Sequence, residues 1–241
     1  MHSFAQKASL LQRDYFLYDQ KLLPGVDHSF FVQDFWQKQG CLLEKAQGRG
    51  NTYAFAYAQK SFFLRHYRRG GAVAPIMRDT YMWTGLRSTR AWREFLLLQA
   101  MRAEGLPVPR PGAAHVQRIG PLYRADLVTE RIEQAAPLSS LIADQYMDKD
   151  LWIKIGCCVQ RFHRQGIVHA DLNAHNILID DKDSVWLIDF DKGIWGQPKS
   201  ACLTANLNRL YRSLCKVWPP EFEAHTLPQA WDAFLQGYRS A

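Results

Sequence analysis

The chain has no apolar run approaching the roughly 20 residues that a helix needs to cross a bilayer. Its opening, Met1-His2-Ser3-Phe4-Ala5-Gln6-Lys7, lacks the apolar core of a secretory signal, so a place in the cytoplasm is the expectation. Cysteine is sparse. Cys41, Cys157, Cys158, Cys202 and Cys215 make neither a CxxC pair nor an even framework, which argues against disulfide and zinc scaffolds. Cys157 and Cys158 sit in an apolar stretch, where a thiol packs as a small hydrophobe. There is no internal repeat and no low-complexity tract, so solenoid and linker readings fall away. No HExxH occurs, and neither zinc-finger spacing nor an RNP-type aromatic pattern is present, which ranks a nucleic-acid binder last and makes no nucleic-acid partner the expectation.

What is present suits a soluble protein with a core: 241 residues, 47% of them hydrophobic, enough for one large domain or two modest lobes. The formal net charge of +7 fits nucleic acid, an anionic membrane surface or a phosphorylated substrate, and charge alone does not choose.

Periodicity divides the chain. Residues 41–46 read as a strand, and Tyr53, Phe55 and Tyr57 then alternate with alanines at the period of a pleat. A turn at Gln59-Lys60-Ser61 leads into an aromatic-rich third strand over 61–67, which predicts an antiparallel meander. From Thr89 to Glu104, Trp92, Phe95, Leu96 and Gln99 recur at helical spacing, and Gly105 with Pro107 supplies a stop. Strands are predicted at 113–119 and 122–131, helices at 138–142 and 149–165, and two short strands at 176–179 and 184–188 around an acidic turn. Helical segments finish the chain. The change from strand-rich to helix-rich near Pro137 makes the expected class α+β.

The chemistry concentrates in His169-Ala170-Asp171-Leu172-Asn173-Ala174-His175-Asn176, with Asp189-Phe190-Asp191 one hairpin later. Either fragment alone is commonly a solvated turn or a cap. Together they resemble the protein-kinase catalytic loop and metal-binding triplet. One carboxylate accepts or orients the proton of a nucleophile, an amide five residues on reaches a metal, and a second carboxylate holds Mg²⁺ against phosphates.

That resemblance makes Asp171 the catalytic base, Asn176 and Asp189 ligands of Mg²⁺, and His169 the brace of the loop. It also sets Gly48 and Gly50 in a turn over the phosphates of ATP, Arg65 on the third strand as their cation, and Glu94 on the helix as the partner of Arg65. Arg65 stands where the fold usually has Lys, with Lys60 the competing cation. The end of the fifth strand matches the hinge between lobes, so the Glu130 carbonyl and the Ile132 amide would read adenine. The implied fold is protein-kinase-like, with an N-terminal lobe over 1–132 holding the antiparallel sheet and one αC-type helix. A mainly helical lobe follows over 133–241. His175 reads as a loop histidine near substrate. His66, His115 and His163 stand at no ligand spacing and read as structural or solvent-facing.

Four stretches narrow the resemblance: Arg65 to Gly71, Trp92-Arg93-Glu94-Phe95, Gly105 to Pro111, and His169 to Asn176. Together they look like the 3-deoxy-D-manno-octulosonic acid (Kdo) kinases over nearly the whole chain. The resemblance implies ATP and Mg²⁺ and a Kdo-containing lipid A precursor phosphorylated at the 4-hydroxyl of Kdo. It further implies a peripheral position on the anionic cytoplasmic face of the inner membrane. Arg65, Arg68 and Arg69 would favour such a surface, or else Arg68 and Arg69 form a solvated strand end. Phe30, Phe31, Phe35 and Trp36, and Tyr81, Met82 and Trp83, would touch acyl chains or belong to the core. No Ala-Pro-Glu follows Asp191, and Asn173 replaces the Lys common in protein kinases, which favours a small-molecule or glycolipid acceptor. The alternatives are a phosphotransferase for another small molecule or a protein, and a non-catalytic nucleotide-binding scaffold. The sequence is silent on oligomeric state.

Overall fold

The computed structural model describes residues 4–9, 13–45, 52–68, 79–144, 147–222 and 226–240. The chain divides into two compact units, one of residues 1–99 and 109–131, the other of residues 100–108 and 132–241. The class is α+β, as expected: an antiparallel sheet with one long helix, then a mainly helical region.

In chain order the first part carries β1 (Phe4–Ser9), β2 (Asp14–Asp19), α1 (Gln33–Lys38), β3 (Leu42–Lys45), β4 (Thr52–Tyr57), β5 (Lys60–His66), β6 (Tyr81–Met82), α2 (Arg90–Ala103), β7 (Pro111–Ile119) and β8 (Leu122–Glu130). The sheet runs β1-β2-β7-β8-β5-β4-β3 with β6 added to β8. The expected meander is β3-β4-β5, but its second turn falls one residue early. Ala58 and Gln59 take φ of 48° and 61°, the left-handed pair of a two-residue hairpin, so Lys60 opens the strand and pairs with Glu130. The predicted helix is α2, which stops at Gly105 with φ of 72°. Its buried side chains include Trp92, Phe95 and Leu98, whereas Leu96 is exposed.

The aromatics at 30–36 are core. Trp36 stacks on Phe55 at 4.1 Å, Phe30 meets Trp36 edge-on at 4.7 Å, and the indole Nε1 donates to Phe30 O at 2.9 Å. Tyr81 is buried, and Met82 beside it is exposed.

The second unit continues with β9 (Ala136–Pro137), α3 (Leu138–Asp144), α4 (Lys149–Arg164), β10 (Ile167–Val168), β11 (Ile177–Ile179), β12 (Val185–Leu187), β13 (Ile194–Trp195), α5 (Ser200–Val217) and α6 (Thr226–Ser240). Here α4 and α6 cross at backbone distance, because both present glycine. A Cβ on Gly156 would lie 2.0 Å from Phe234 O, and one on Gly237 would lie 2.0 Å from Ile153 O.

One polar chain is built into the first unit by register. β5, β8 and β7 set His66 opposite Asp126 and Asp126 opposite His115. Asp126 meets His66 Nδ1 at 2.5 Å and His115 Nδ1 at 2.9 Å, and His115 Nε2 reaches Asp14 at 2.9 Å. Burial opposes charge on His115, but hydrogen bonds to Asp126 and Asp14 outweigh it and raise its pKa. The His115 hydrogen bond depresses Asp14. Burial opposes charge on Asp126 as well, yet its bonds to His115 and His66 bring its pKa down.

The signs fix a stability profile. The contribution of His115 is complete below its ordinary value of 6.5 and is lost as pH rises through the raised folded value. Those of Asp14 and Asp126 are present above 3.8 and are lost as pH falls through their depressed folded values. Unfolding measured from about pH 3 to about pH 9 should show greatest stability between these limits. His115→Gln should lower that plateau by about 3 kcal/mol and flatten the alkaline decline, since it removes the bonds that His115 makes to the buried Asp14 and Asp126. An unchanged alkaline decline in the variant would contradict the assignment.

Candidate active site

The loop that carries Asp171 begins where α4 ends. Gly166 turns the chain at φ of 74°, and a Cβ there would lie 1.9 Å from Gly196 O, so only glycine lets β10 enter beside β13. Three residues after Gly166, His169 is buried, and its ring bonds fix its protonation. Nε2–H donates to Ile188 O at 2.8 Å, and Nδ1 accepts from the Asp171 amide at 3.1 Å. Burial lowers its pKa, which keeps this neutral tautomer.

The rest of the loop closes on itself. Asn173 Oδ1 accepts from the amides of His175 at 2.9 Å and Asn176 at 3.2 Å, while its Nδ2 donates to Asp171 O at 3.0 Å. Asn176 Nδ2 donates to the same carbonyl at 2.9 Å, so its amide group is oriented from the nitrogen end and Oδ1 takes no part in that bond. His175 is exposed, with Nδ1 2.8 Å from Ser139 Oγ on α3.

The triplet is tied to this loop on both sides of Ile188, whose amide donates to Asn176 O at 3.0 Å and whose carbonyl receives His169. Asp189 follows at φ of 63°, a left-handed conformation that short polar side chains tolerate at a cost. Phe190 anchors it from within the core, stacked on Phe162 at 5.6 Å and against His169 at 4.6 Å.

Helix α5 holds the loop from outside through three residues at i, i+3 and i+7, which share one face. Asn206 Nδ2 donates to His169 O at 2.6 Å, Arg209 reaches Asp171 Oδ1 at 3.1 Å, and Ser213 Oγ accepts from the Ala174 amide at 3.1 Å.

In the first unit, Arg65 on β5 pairs with the buried Glu94 of α2, and Tyr67 OH bonds both. The Arg65 guanidinium also lies 4.6 Å from the Tyr67 ring centre. Burial pushes the Tyr67 phenol well above its ordinary value, so it stays a neutral donor to Glu94.

A family model described as the lipopolysaccharide kinase (Kdo/WaaP) family matches residues 33–238. The chain belongs to that family. It is 40% identical over 221 residues to a 3-deoxy-D-manno-octulosonic acid kinase of Photobacterium profundum, covering 92% of this chain and 93% of the relative. A protein of the same name from Vibrio cholerae serotype O1 is 44% identical over 199 residues, with 83% and 84% covered. One from Haemophilus influenzae strain 86-028NP is 40% identical over 226 residues, with 90% of each chain covered. The chain is therefore a kinase, and its family implies the use of ATP.

For this lipopolysaccharide kinase, the structure brings together the loop and triplet residues His169, Asp171, Asn176 and Asp189, and separately Arg65 with Glu94. Gly48, Gly50, Arg69, Gly70 and Gly71 lie outside the described residues. Glu130 ends β8, with its amide bonded to Arg110 O at 2.8 Å, and Ile132 opens the second stretch of the other unit. Lys60, the rival cation, is engaged by Glu130. Sequence reading missed Asn206, Arg209 and Ser213, whose signal is a polar stripe at helical spacing in α5, beside the buried Leu210 and Leu214.

Arg65→Ala should lower kcat/KM by about 10²-fold or more, since one electrostatic contact to phosphate is worth roughly 3 kcal/mol. Arg65→Lys should recover part of this. Glu94→Gln combined with Arg65→Ala should cost clearly less than the two losses together. Additive losses in a double-mutant cycle would show that the pair does not act as a unit.

Proposed function

We infer that this kinase transfers the γ-phosphoryl group of ATP to the 4-hydroxyl of Kdo on a lipid A precursor during lipopolysaccharide core assembly. The observation that carries the reading is the near-full-length similarity to proteins named 3-deoxy-D-manno-octulosonic acid kinases, joined to an intact Asp171, Asn176 and Asp189 set.

In this mechanism Asp171 receives the proton of the acceptor hydroxyl as the oxygen attacks phosphorus, and ADP leaves. His169 and Asn173 keep the loop in the shape that presents that carboxylate. Asn176 and Asp189 offer hard oxygen donors, which fit Mg²⁺, an ion that takes one or two protein ligands and completes its shell with phosphates and water. Bound there, the ion would neutralise charge on the phosphates. Residues 1–132 supply the nucleotide contacts on this account: Gly48, Gly50 and Arg65 toward the phosphates, and the Glu130 carbonyl and Ile132 amide toward adenine. Residues 133–241 supply the acceptor chemistry.

The lipid acceptor places the enzyme at the cytoplasmic face of the inner membrane as a peripheral protein. The net charge of +7 suits an anionic surface, and among the described residues no helix is long and apolar enough to cross a membrane.

With labelled ATP, Mg²⁺ and a panel of Kdo-bearing lipids, the wild type should phosphorylate Kdo. Asp171→Ala should abolish transfer, a loss of about 10³-fold or more, while ATP affinity by calorimetry stays within about twofold. Near-normal turnover by the folded variant would remove Asp171 from its role, and phosphorylation confined to unrelated acceptors would overturn the reading.

A further inference from the structure

The stripe on α5 serves two kinds of atom. Asn206 and Ser213 bond backbone groups of the catalytic loop, which is a holding role. Arg209, between them, reaches instead the carboxylate of Asp171, and both side chains stay open to solvent, 50% and 44% exposed. An ion pair this exposed adds little to stability. Its contact is single-point, from NH1 to Oδ1 at 3.1 Å, and among the described residues Arg209 makes no other hydrogen bond or ion pair. Half of the Arg209 side chain is thus exposed beside this carboxylate, with one donor of a five-donor planar fork engaged among the described residues.

The loop brings no cation of its own. Asn173, where protein kinases carry Lys, has both ends of its amide engaged in holding the turn. In sequence the loop and triplet carry three carboxylates, Asp171, Asp189 and Asp191, with Lys192 following, and Asp171 itself is the negative charge that an acidic acceptor meets there. A sugar acid whose hydroxyl approaches Asp171 carries its carboxylate into this field, where like charge repels it unless a cation stands beside the base. A guanidinium matches a carboxylate with two parallel hydrogen bonds, a geometry Lys cannot reproduce.

We propose that Arg209 is the anion-binding residue of the acceptor site: it takes the carboxylate of an acidic sugar while that sugar's hydroxyl meets Asp171. The proposal rests on the acceptor reading above and extends it, because it makes the acid group, and not only the hydroxyl, the basis of acceptor choice. Its contact with Asp171 Oδ1 before the acceptor arrives keeps the guanidinium at the mouth of the site and leaves Oδ2 for the hydroxyl proton.

The test compares a Kdo-bearing lipid with the same lipid whose carboxylate has been converted to a primary carboxamide, using wild type, Arg209→Ala and Arg209→Lys. The wild type should prefer the acid by about 10- to 100-fold in kcat/KM, the range of one charge-assisted contact. Arg209→Ala should lose that preference: its loss on the acid should exceed its loss on the carboxamide by about 10- to 100-fold and be expressed mainly in acceptor KM, with the KM for ATP unchanged. Arg209→Lys should restore part of the preference. Equal losses on both acceptors would mean that Arg209 acts only through Asp171, and unchanged rates would mean that it does not act; either result overturns the proposal alone. A wild type inactive on the acid lipid would overturn the acceptor reading and the proposal with it.

Discussion

A run of hydrogen bonds from α6 to the loop that carries Asp171 is the constraint on which the second unit depends. Tyr238 OH meets His163 Nδ1 at 2.8 Å, His163 Nε2 meets Asn206 Oδ1 at 3.0 Å, and Asn206 Nδ2 donates to His169 O at 2.6 Å. Each link has one direction. The carbonyl of His169 needs a donor, so Asn206 must present its nitrogen there and its oxygen to His163. His163 then holds its proton on Nε2 and accepts from the tyrosine. Burial lowers the pKa of both His163 and His169, and a second proton on His169 would set its Nδ1–H against the Asp171 amide. Inside a protein such a satisfied network fixes one geometry, because every alternative leaves a polar group unpaired.

Backbone packing gives this network its position. Glycines at 156 and 237 let α4 and α6 touch main chain to main chain, and Tyr238 follows Gly237 directly, where it reaches His163 on α4. The loop is thus located by helices on one side and by Ile188 and the Phe190 anchor on the other. In the first unit the corresponding constraint is electrostatic: a buried Glu94 needs a cation and a donor, and Arg65 and Tyr67 provide them.

Much of this was legible from short-range pattern. The alternation at 53–57, the aromatic strand after it and the helix stopped at Gly105 are local signals, and they returned as β4, β5 and α2. Loop and triplet were legible because phosphoryl transfer demands particular residue types at a particular spacing. β1 and β2 went unread. Tyr15-Phe16-Leu17-Tyr18 is a continuous apolar run without the half-buried alternation that marks a strand, since β2 is almost wholly buried. His115 and His163 gave no signal because their partners, Asp14, Asp126 and Asn206, are distant in sequence and meet only through register and packing. Arg209 was hidden for the same reason: its contact with Asp171 joins positions 38 residues apart.

The most direct measurement is the effect of Asn206→Leu, a change outside the residues proposed to meet substrate, on the loop that carries Asp171. Amide hydrogen exchange at Asp171 and Asn176, read with kcat and ATP affinity on the full chain, separates positioning from binding. The account predicts faster exchange in the loop and a fall in kcat of about 10- to 100-fold, as expected when a reacting group loses its alignment, with ATP affinity retained. A folded variant with wild-type exchange and wild-type kcat would contradict it, and the loop would then owe its geometry to its own internal bonds alone.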